Sequence, residues 1–203
     1  MPTEFVCETC GTSFTVPDTA LAKYPGWKPR QCMNCRSGKT RPAATPADAQ
    51  ARFDAGPSTG IFTDGGAEPN PGRGGWGAVK VVDGEIVAER SGGEDPTTNN
   101  RMELRAMIEA YRLLDDDAPV SIYSDSQYTV KVATEWAPRW EANGWRRGKK
   151  REPVENLDLV RELYELVKSH PNAKPEWLRG HAVSRWNEYA DALSRARRHD
   201  EPA

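Results

Sequence analysis

The sequence predicts an α/β fold: a five-stranded mixed sheet, its first three strands antiparallel, flanked by helices and preceded by a small cysteine-rich module. Three observations lead to it. Strand-like runs begin at Ile61, Gly75 and Glu85, and the last two are joined by Asp83-Gly84, a dipeptide suited to the positive φ of a tight hairpin. Helical and strand-like stretches then alternate through the rest of the chain, as they do where a sheet gains strands through crossover helices. Ahead of all this stand four cysteines in two CxxC pairs, Cys7/Cys10 and Cys32/Cys35.

The chain has 203 residues, 37% hydrophobic and 29% charged, which suits one full domain plus an accessory. A net charge of -2 gives no global attraction to nucleic acid. Basic residues are nevertheless clustered: Arg139, Arg146, Arg147, Lys149, Lys150 and Arg151 face only Glu141 over that stretch, and an anion would settle there. Met1-Pro2-Thr3-Glu4 has neither the basic start nor the apolar core of a secretion signal, and nothing approaches the ~20 apolar residues of a membrane span. A cytoplasmic monomer is expected, and in that compartment paired CxxC motifs favour metal over disulfides.

Taken in order, residues 1–40 form the first module. Each CxxC is a tight knuckle presenting two thiolates, and two knuckles complete the four-sulfur shell that zinc prefers, so Cys7, Cys10, Cys32 and Cys35 are expected to hold one structural Zn²⁺. The runs FVCETCGTSF and GWKPRQCMNCR resemble a small bacterial zinc-ribbon family. Residues 41–57 are rich in Ala, Pro, Thr, Gly and Asp without apolar periodicity, and read as a flexible linker.

The second domain, 58–203, opens with Ile61-Phe62-Thr63-Asp64-Gly65-Gly66, an apolar run ending in one carboxylate and two glycines. Buried acid must be solvated, paired or given a cation, so Asp64 reads as a metal ligand or as the opening of a hairpin turn. Asn70-Pro71-Gly72 turns the chain into the second strand. Thr98 or a neighbouring Asn caps a helix carrying Met102, Ala106, Ile108, Ala110, Leu113 and Leu114. Val120 to Ser124 is the fourth strand, placing Asp125 at its carboxyl end, where open α/β sheets put ligands. Helical stretches follow around 127–141, then the basic loop, then a helix over 156–169 with Leu159, Leu163, Leu166 and Val167 on one face. A fifth strand, Glu176 to Gly180, leads to His181, and a last helix from about Arg185 carries Asp191.

Four carboxylates, Asp64, Glu103, Asp125 and Asp191, thus come from four elements. Their convergence would be strongly repulsive without cations, and hard oxygen ligands in that number suit two Mg²⁺ or Mn²⁺ ions. Any one alone reads equally as a solvated surface charge.

The contexts of these residues, FTDGGAEPNPGRGGWGAV, TTNNRMEL, SDSQY and RGHAVSRWNEYADALSR, occur in one order with fitting intervals. Over about residues 59 to 198 they closely resemble the type 1 ribonucleases H. The resemblance implies a ribonuclease H-like fold and two-metal-ion hydrolysis of the RNA strand of RNA/DNA hybrids, leaving 3′-hydroxyl and 5′-phosphate ends. By match to the family's motifs, Asp64, Glu103, Asp125 and Asp191 are the metal ligands and His181 is a mobile-loop histidine that aids proton movement or product departure. Asn70, Asn99, Asn100 and Gln127 match minor-groove contacts, and Thr98 with Asn156 match positions around a DNA-strand phosphate. The stretch from Trp136 through Trp140 to Trp145 resembles the protruding handle that grips the DNA strand, though Glu141 and Ala142 stand where lysine is frequent. Core packing is the other reading of these three tryptophans, and it suits Trp145 equally. Two other readings remain open at this point: another nuclease of the same fold, or a zinc-ribbon nucleic-acid-binding protein with a silent nuclease domain. The first module's partner, nucleic acid or protein, is also open.

Overall fold

Phe5 and Phe14 lie opposite each other at the start of the chain, their ring centroids 6.1 Å apart, in a computed structural model that describes residues 3–8, 13–23, 26, 28–36, 56–115, 119–178 and 184–199. The chain divides into two compact units, Met1–Gln50 and Ala51–Ala203. In the first, strand β1 (Thr3–Val6) pairs antiparallel with β2 (Ser13–Val16), followed by the short helices α1 (Asp18–Lys23) and α2 (Met33–Arg36). Glu8 N–H donates to Arg30 C=O at 2.8 Å, tying the segment after Cys7 to the segment before Cys32. Among the described residues of this unit, Cys7, Val16 and Pro29 are buried.

The second unit is built on β3 (Gly60–Ala67), β4 (Gly72–Val82) and β5 (Glu85–Thr97), then α3 (Asn99–Tyr111), β6 (Val120–Ser124) and α4 (Gln127–Lys131). A π-helical turn at Val132–Trp136 leads into α5 (Ala137–Ala142), the two-residue strands β7 (Arg146–Arg147) and β8 (Glu152–Pro153), α6 (Leu157–Ser169), β9 (Ala173–Trp177) and α7 (Arg185–His199). The five-stranded sheet has the order β5-β4-β3-β6-β9, with β3, β4 and β5 antiparallel and β6 and β9 joined in parallel.

Strand β3 is the central strand, and period-two alternation sends its side chains into two different cores. Ile61 joins Leu104, Met107, Ile108, Ile122 and Leu163 beneath the α3 and α6 face. Phe62 joins Val79, Val81 and Ala190 beneath α7, with its ring 5.0 Å from that of Tyr123. Ile61 and Phe62 are both 0% exposed, and burying such a side chain is worth roughly 1.5–3 kcal/mol, so the strand is locked from both sides.

Two elements differ from their sequence-based bounds. The fifth strand is Ala173–Trp177 rather than Glu176 to Gly180, because parallel pairing with β6 fixes Val120 opposite Ala173 and Ser124 opposite Trp177. Pro175 is tolerated there because β9 is an edge strand. The third strand continues past Glu89 to Thr97, carrying Gly92 and Gly93, whose lack of side chain leaves space for the Trp76 ring and the Arg197 backbone.

Glycine also sets how closely α7 approaches the sheet. A Cβ on Gly75 would lie 2.0 Å from Ser194 O, and one on Gly77 would lie 2.5 Å from Ala190 O, so backbone rests on backbone. Replacing Gly75 by Ala must lift the helix that carries Asp191. Gly75→Ala is expected to cost about 1–3 kcal/mol in urea denaturation, the range for overpacked interiors, and an unchanged midpoint would contradict this contact.

Candidate active site

Asp64 sits on β3 opposite Gly77, half-buried at the end of the apolar run. Ser194 Oγ donates to Asp64 Oδ2 at 2.6 Å, and Arg198 Nη2 lies 3.8 Å from the same oxygen. Burial pushes the Asp64 carboxyl up to about 6; Ser194 and Arg198 oppose the rise, while the charges of Asp125 and Asp191 add to it.

Glu103 reaches Asp64 through a capped helix and a glycine. Thr98 caps α3 by accepting from Arg101 N–H at 3.4 Å, which fixes the first turn. That turn presses on Gly65, where a Cβ would meet Met102 C at 2.4 Å and Glu103 N at 2.6 Å. Ser126 Oγ donates to Glu103 Oε2 at 2.5 Å. Burial raises the Glu103 carboxyl to about 7; the Ser126 hydrogen bond holds it back, and Asp125 and Asp64 raise it further.

Asp125 follows β6, where Trp177 Nε1 donates to its backbone C=O at 3.1 Å and Asn187 Nδ2 lies 3.5 Å from its Oδ2. Asp191 lies on α7, paired with Arg195 one turn later. Asp64 feels both Asp125 and Asp191, and Glu103 feels Asp64 and Asp125, so the structure brings the four expected carboxylates into one electrostatic field. They remain spread: among the described residues, no three carboxylates have oxygens all within 4.8 Å of one another. Two unit charges about 4 Å apart repel by about 4 kcal/mol at an effective dielectric of about 20, which keeps uncompensated oxygens apart. A partly buried, all-oxygen donor set fits hard divalent cations.

The expected nucleic-acid residues fall into two groups. Thr98, Asn99 and Asn100 open α3, whose next turn carries Glu103, and Gln127 opens α4 just after Asp125. Asn70 Oδ1 accepts from Asn99 N–H at 3.2 Å, and Asn99 Oδ1 from Ala67 N–H at 2.7 Å, so the amides brace the end of β3. Asn156 stands at a positive φ of 50° ahead of α6 and is hydrogen-bonded to Tyr128. The second group is the β7–β8 hairpin. Arg139, Trp140, Asn143, Arg146, Arg147 and Arg151 line an open cleft of about 270 Å³, while Lys149 and Lys150 are exposed and Arg147 is paired with Glu155. Trp136, Trp140 and Trp145 all pack against the main core, with Trp136 and Trp140 rings 5.7 Å apart, and Arg161 lies over the Trp145 ring. His181 lies outside the described residues.

In the first unit, the sulfurs of Cys7, Cys32 and Cys35 all lie within 4.8 Å of one another, a cluster able to hold a metal ion. Cys10 lies outside the described residues.

Sequence reasoning missed the residues that hold the carboxylates. Ser126 was legible as an N-cap, since it stands between a strand and a helix and accepts from Thr129 N–H. Asn187, Ser194 and Arg198 gave no such signal, because only the packing of α7 on the sheet brings them to Asp125 and Asp64.

A family model described as RNase H matches residues 57–199. The chain is 50% identical over 134 residues to ribonuclease H of Cupriavidus pinatubonensis, covering 66% of this chain and 90% of that protein. It is 48% identical over 139 residues to ribonuclease H of Afipia carboxidovorans, covering 68% and 91%. Among solved structures it is similar to LC9-RNase H1, a type 1 RNase H with the type 2 active-site motif, at 32% identity and TM-score 0.55 over 69% of this chain and 72% of that one. The RNase H domain of PFV shares the fold at TM-score 0.59 and 24% identity, over 70% and 94%. By the match of the RNase H model over most of its length and by these identities, the chain belongs to the ribonuclease H family.

Proposed function

We propose that the protein is an endonuclease that hydrolyses the RNA strand of RNA/DNA hybrids, with two Mg²⁺ or Mn²⁺ ions held by Asp64, Glu103, Asp125 and Asp191, leaving 3′-hydroxyl and 5′-phosphate ends. The observation that carries it is the shared field of the four carboxylates around Asp64 on the central strand. Bound divalent cations supply an activated water and stabilise the charge developing on the scissile phosphate. The chain's own residues supply placement. Ser126 fixes Glu103, Ser194 fixes Asp64 and Asn187 steadies Asp125, each from an element packed into the core. His181 assists proton movement or product departure.

Substrate selection rests on reading the 2′-hydroxyl of one strand and the sugar shape of the other. Asn70, Asn99, Asn100 and Gln127 are suited to it, because amides donate and accept at sugar and base edges without requiring a sequence. Thr98 and Asn156 receive a phosphate of the DNA strand. Arg146, Arg147, Lys149, Lys150 and Arg151 hold that strand by charge, with the Trp136 and Trp140 region as their scaffold. Cys7, Cys10, Cys32 and Cys35 hold one structural Zn²⁺ in a ribbon over 1–40, joined by a linker over 41–57 to the catalytic domain at 58–203. The ribbon adds a contact to hybrid or to a protein partner, and the enzyme works as a cytoplasmic monomer.

Asp64→Asn keeps the side chain's shape and removes charge that the cations need, so cleavage of hybrid RNA in Mg²⁺ should fall to background while hybrid binding survives. Robust hydrolysis by this variant at saturating Mg²⁺ would sink the assignment.

Protons compete with cations for the same oxygens. With Asp64 at about 6 and Glu103 at about 7, Mn²⁺ affinity measured by calorimetry without substrate should be full above about pH 8 and fall progressively as pH drops through 7 and 6. Affinity that is flat between pH 5 and 8 would show that these two groups do not bind the ion.

A further inference from the structure

The last turns of α7 contain a contact that the hydrolytic reaction itself does not require. Arg195 pairs with Asp191 and Arg197 Nε donates to Ser91 Oγ at 3.1 Å, whereas Arg198 runs beneath Asp64. Its side chain is 15% exposed, and its Nη2 donates to Ser194 Oγ at 3.0 Å. Ser194 is 0% exposed and has a single hydroxyl proton with two acceptors in reach, Asp64 Oδ2 at 2.6 Å and Asp191 C=O at 3.1 Å. The carboxylate is nearer and charged, so it takes the proton, and the oxygen in turn accepts from Arg198. The result is a directed chain, Arg198 to Ser194 to Asp64, whose bonds polarise one another.

The place for Arg198 is built into the sheet. A Cβ on Gly66 would lie 2.6 Å from Arg198 Nη2, so the second glycine after Asp64 is what lets the guanidinium approach β3 so closely. Arg198 Nε is buried with no hydrogen-bond partner among the described residues, a cost that a residue kept only for packing would not need to bear. Arginine is the basic side chain that suits such a site, being always charged and weakly hydrated.

We propose that Arg198, acting through Ser194, is a positioning residue for Asp64 and its built-in counter-charge before cations bind, so that α7 sets the enzyme's demand for divalent metal. This rests on the reading of Asp64 as a metal ligand. A fixed positive charge behind the ligand eases the crowding of the carboxylates in the cation-free protein. It must also be overcome in part by an incoming cation, which the same charge repels. The two effects oppose each other, and that opposition separates this role from simple packing.

The test uses the full chain, with Mn²⁺ titrated calorimetrically without substrate and Tm measured in Mn²⁺-free and Mn²⁺-saturated buffer, for wild type, Arg198→Gln and Arg198→Lys. Arg198→Gln keeps a donor and loses the charge. It should bind Mn²⁺ about tenfold more tightly, the order expected for removing a charge at this range in a medium of intermediate dielectric. Its Tm should fall without Mn²⁺ and recover with it. Arg198→Lys should stay within about threefold of wild type in affinity. If Arg198→Gln is too unstable to titrate without Mn²⁺, rescue of its Tm by the ion is the supporting result, and failure of rescue overturns the proposal. Equal Tm losses with and without Mn²⁺, or unchanged or weaker Mn²⁺ binding by Arg198→Gln, would reduce Arg198 to a packing residue. Loss of Mn²⁺ binding in wild type itself would instead remove Asp64 as a ligand and the functional reading with it.

Discussion

Repulsion among four carboxylates is the constraint on which the rest of this structure depends. Asp64 and Glu103 are both held part-way out of water, and both are pushed toward protonation first by burial and then by their acidic neighbours. Ordinary folding would avoid such an arrangement, since each group could be solvated a few ångströms away. The chain instead fixes them with neutral donors: Ser126 on Glu103, Ser194 on Asp64 and Asn187 on Asp125. Neutral donors orient a carboxylate without cancelling its charge, while positive charge comes from Arg198, 3.8 Å from Asp64, and from Arg195, paired with Asp191.

Holding that cluster requires rigid elements brought unusually close. The central strand is locked by Ile61 and Phe62 into two cores, one on each face. Glycine does the rest: Gly65 admits the first turn of α3, and Gly75 and Gly77 admit α7 against β4. The carboxylate and the residues that yield space around it are therefore neighbours in sequence, as in Asp64-Gly65-Gly66. Burial and close packing here serve position more than stability.

Much of this is legible in the sequence. The order of strands and helices followed from periodicity, Asp83-Gly84 and the cap at Thr98, because these signals are local. Three of the four carboxylates lie beside a local landmark, glycines after Asp64, a cap before Glu103 and a strand end at Asp125, whereas Asp191 is marked only by the resemblance of its surrounding motif. The fifth strand was placed too late, since Ala173-Lys174-Pro175 lacks strand character and only pairing with β6 makes it one. Ser194 and Arg198 were invisible for a related reason. A serine and an arginine on a polar helix face are unremarkable until the turn of α7 over the sheet puts them 130 residues away in sequence but 2.6 Å from Asp64 in the case of Ser194. The handle tryptophans had two readings, and their packing on the main core supports a structural part in presenting the arginines.

Carboxyl groups whose affinity for protons is raised by folding contribute stability that is present below about pH 4 and lost as pH rises through 6 and 7, so in cation-free buffer near pH 8 they weigh against the fold. The most direct measurement is therefore the Tm of wild type and Asp64→Asn at pH 8, each with and without Mg²⁺. The account predicts that the cation-free variant melts higher than cation-free wild type, and that Mg²⁺ raises the Tm of wild type but hardly that of the variant. A cation-free variant that melts lower than wild type, together with a wild-type Tm indifferent to Mg²⁺, would contradict it.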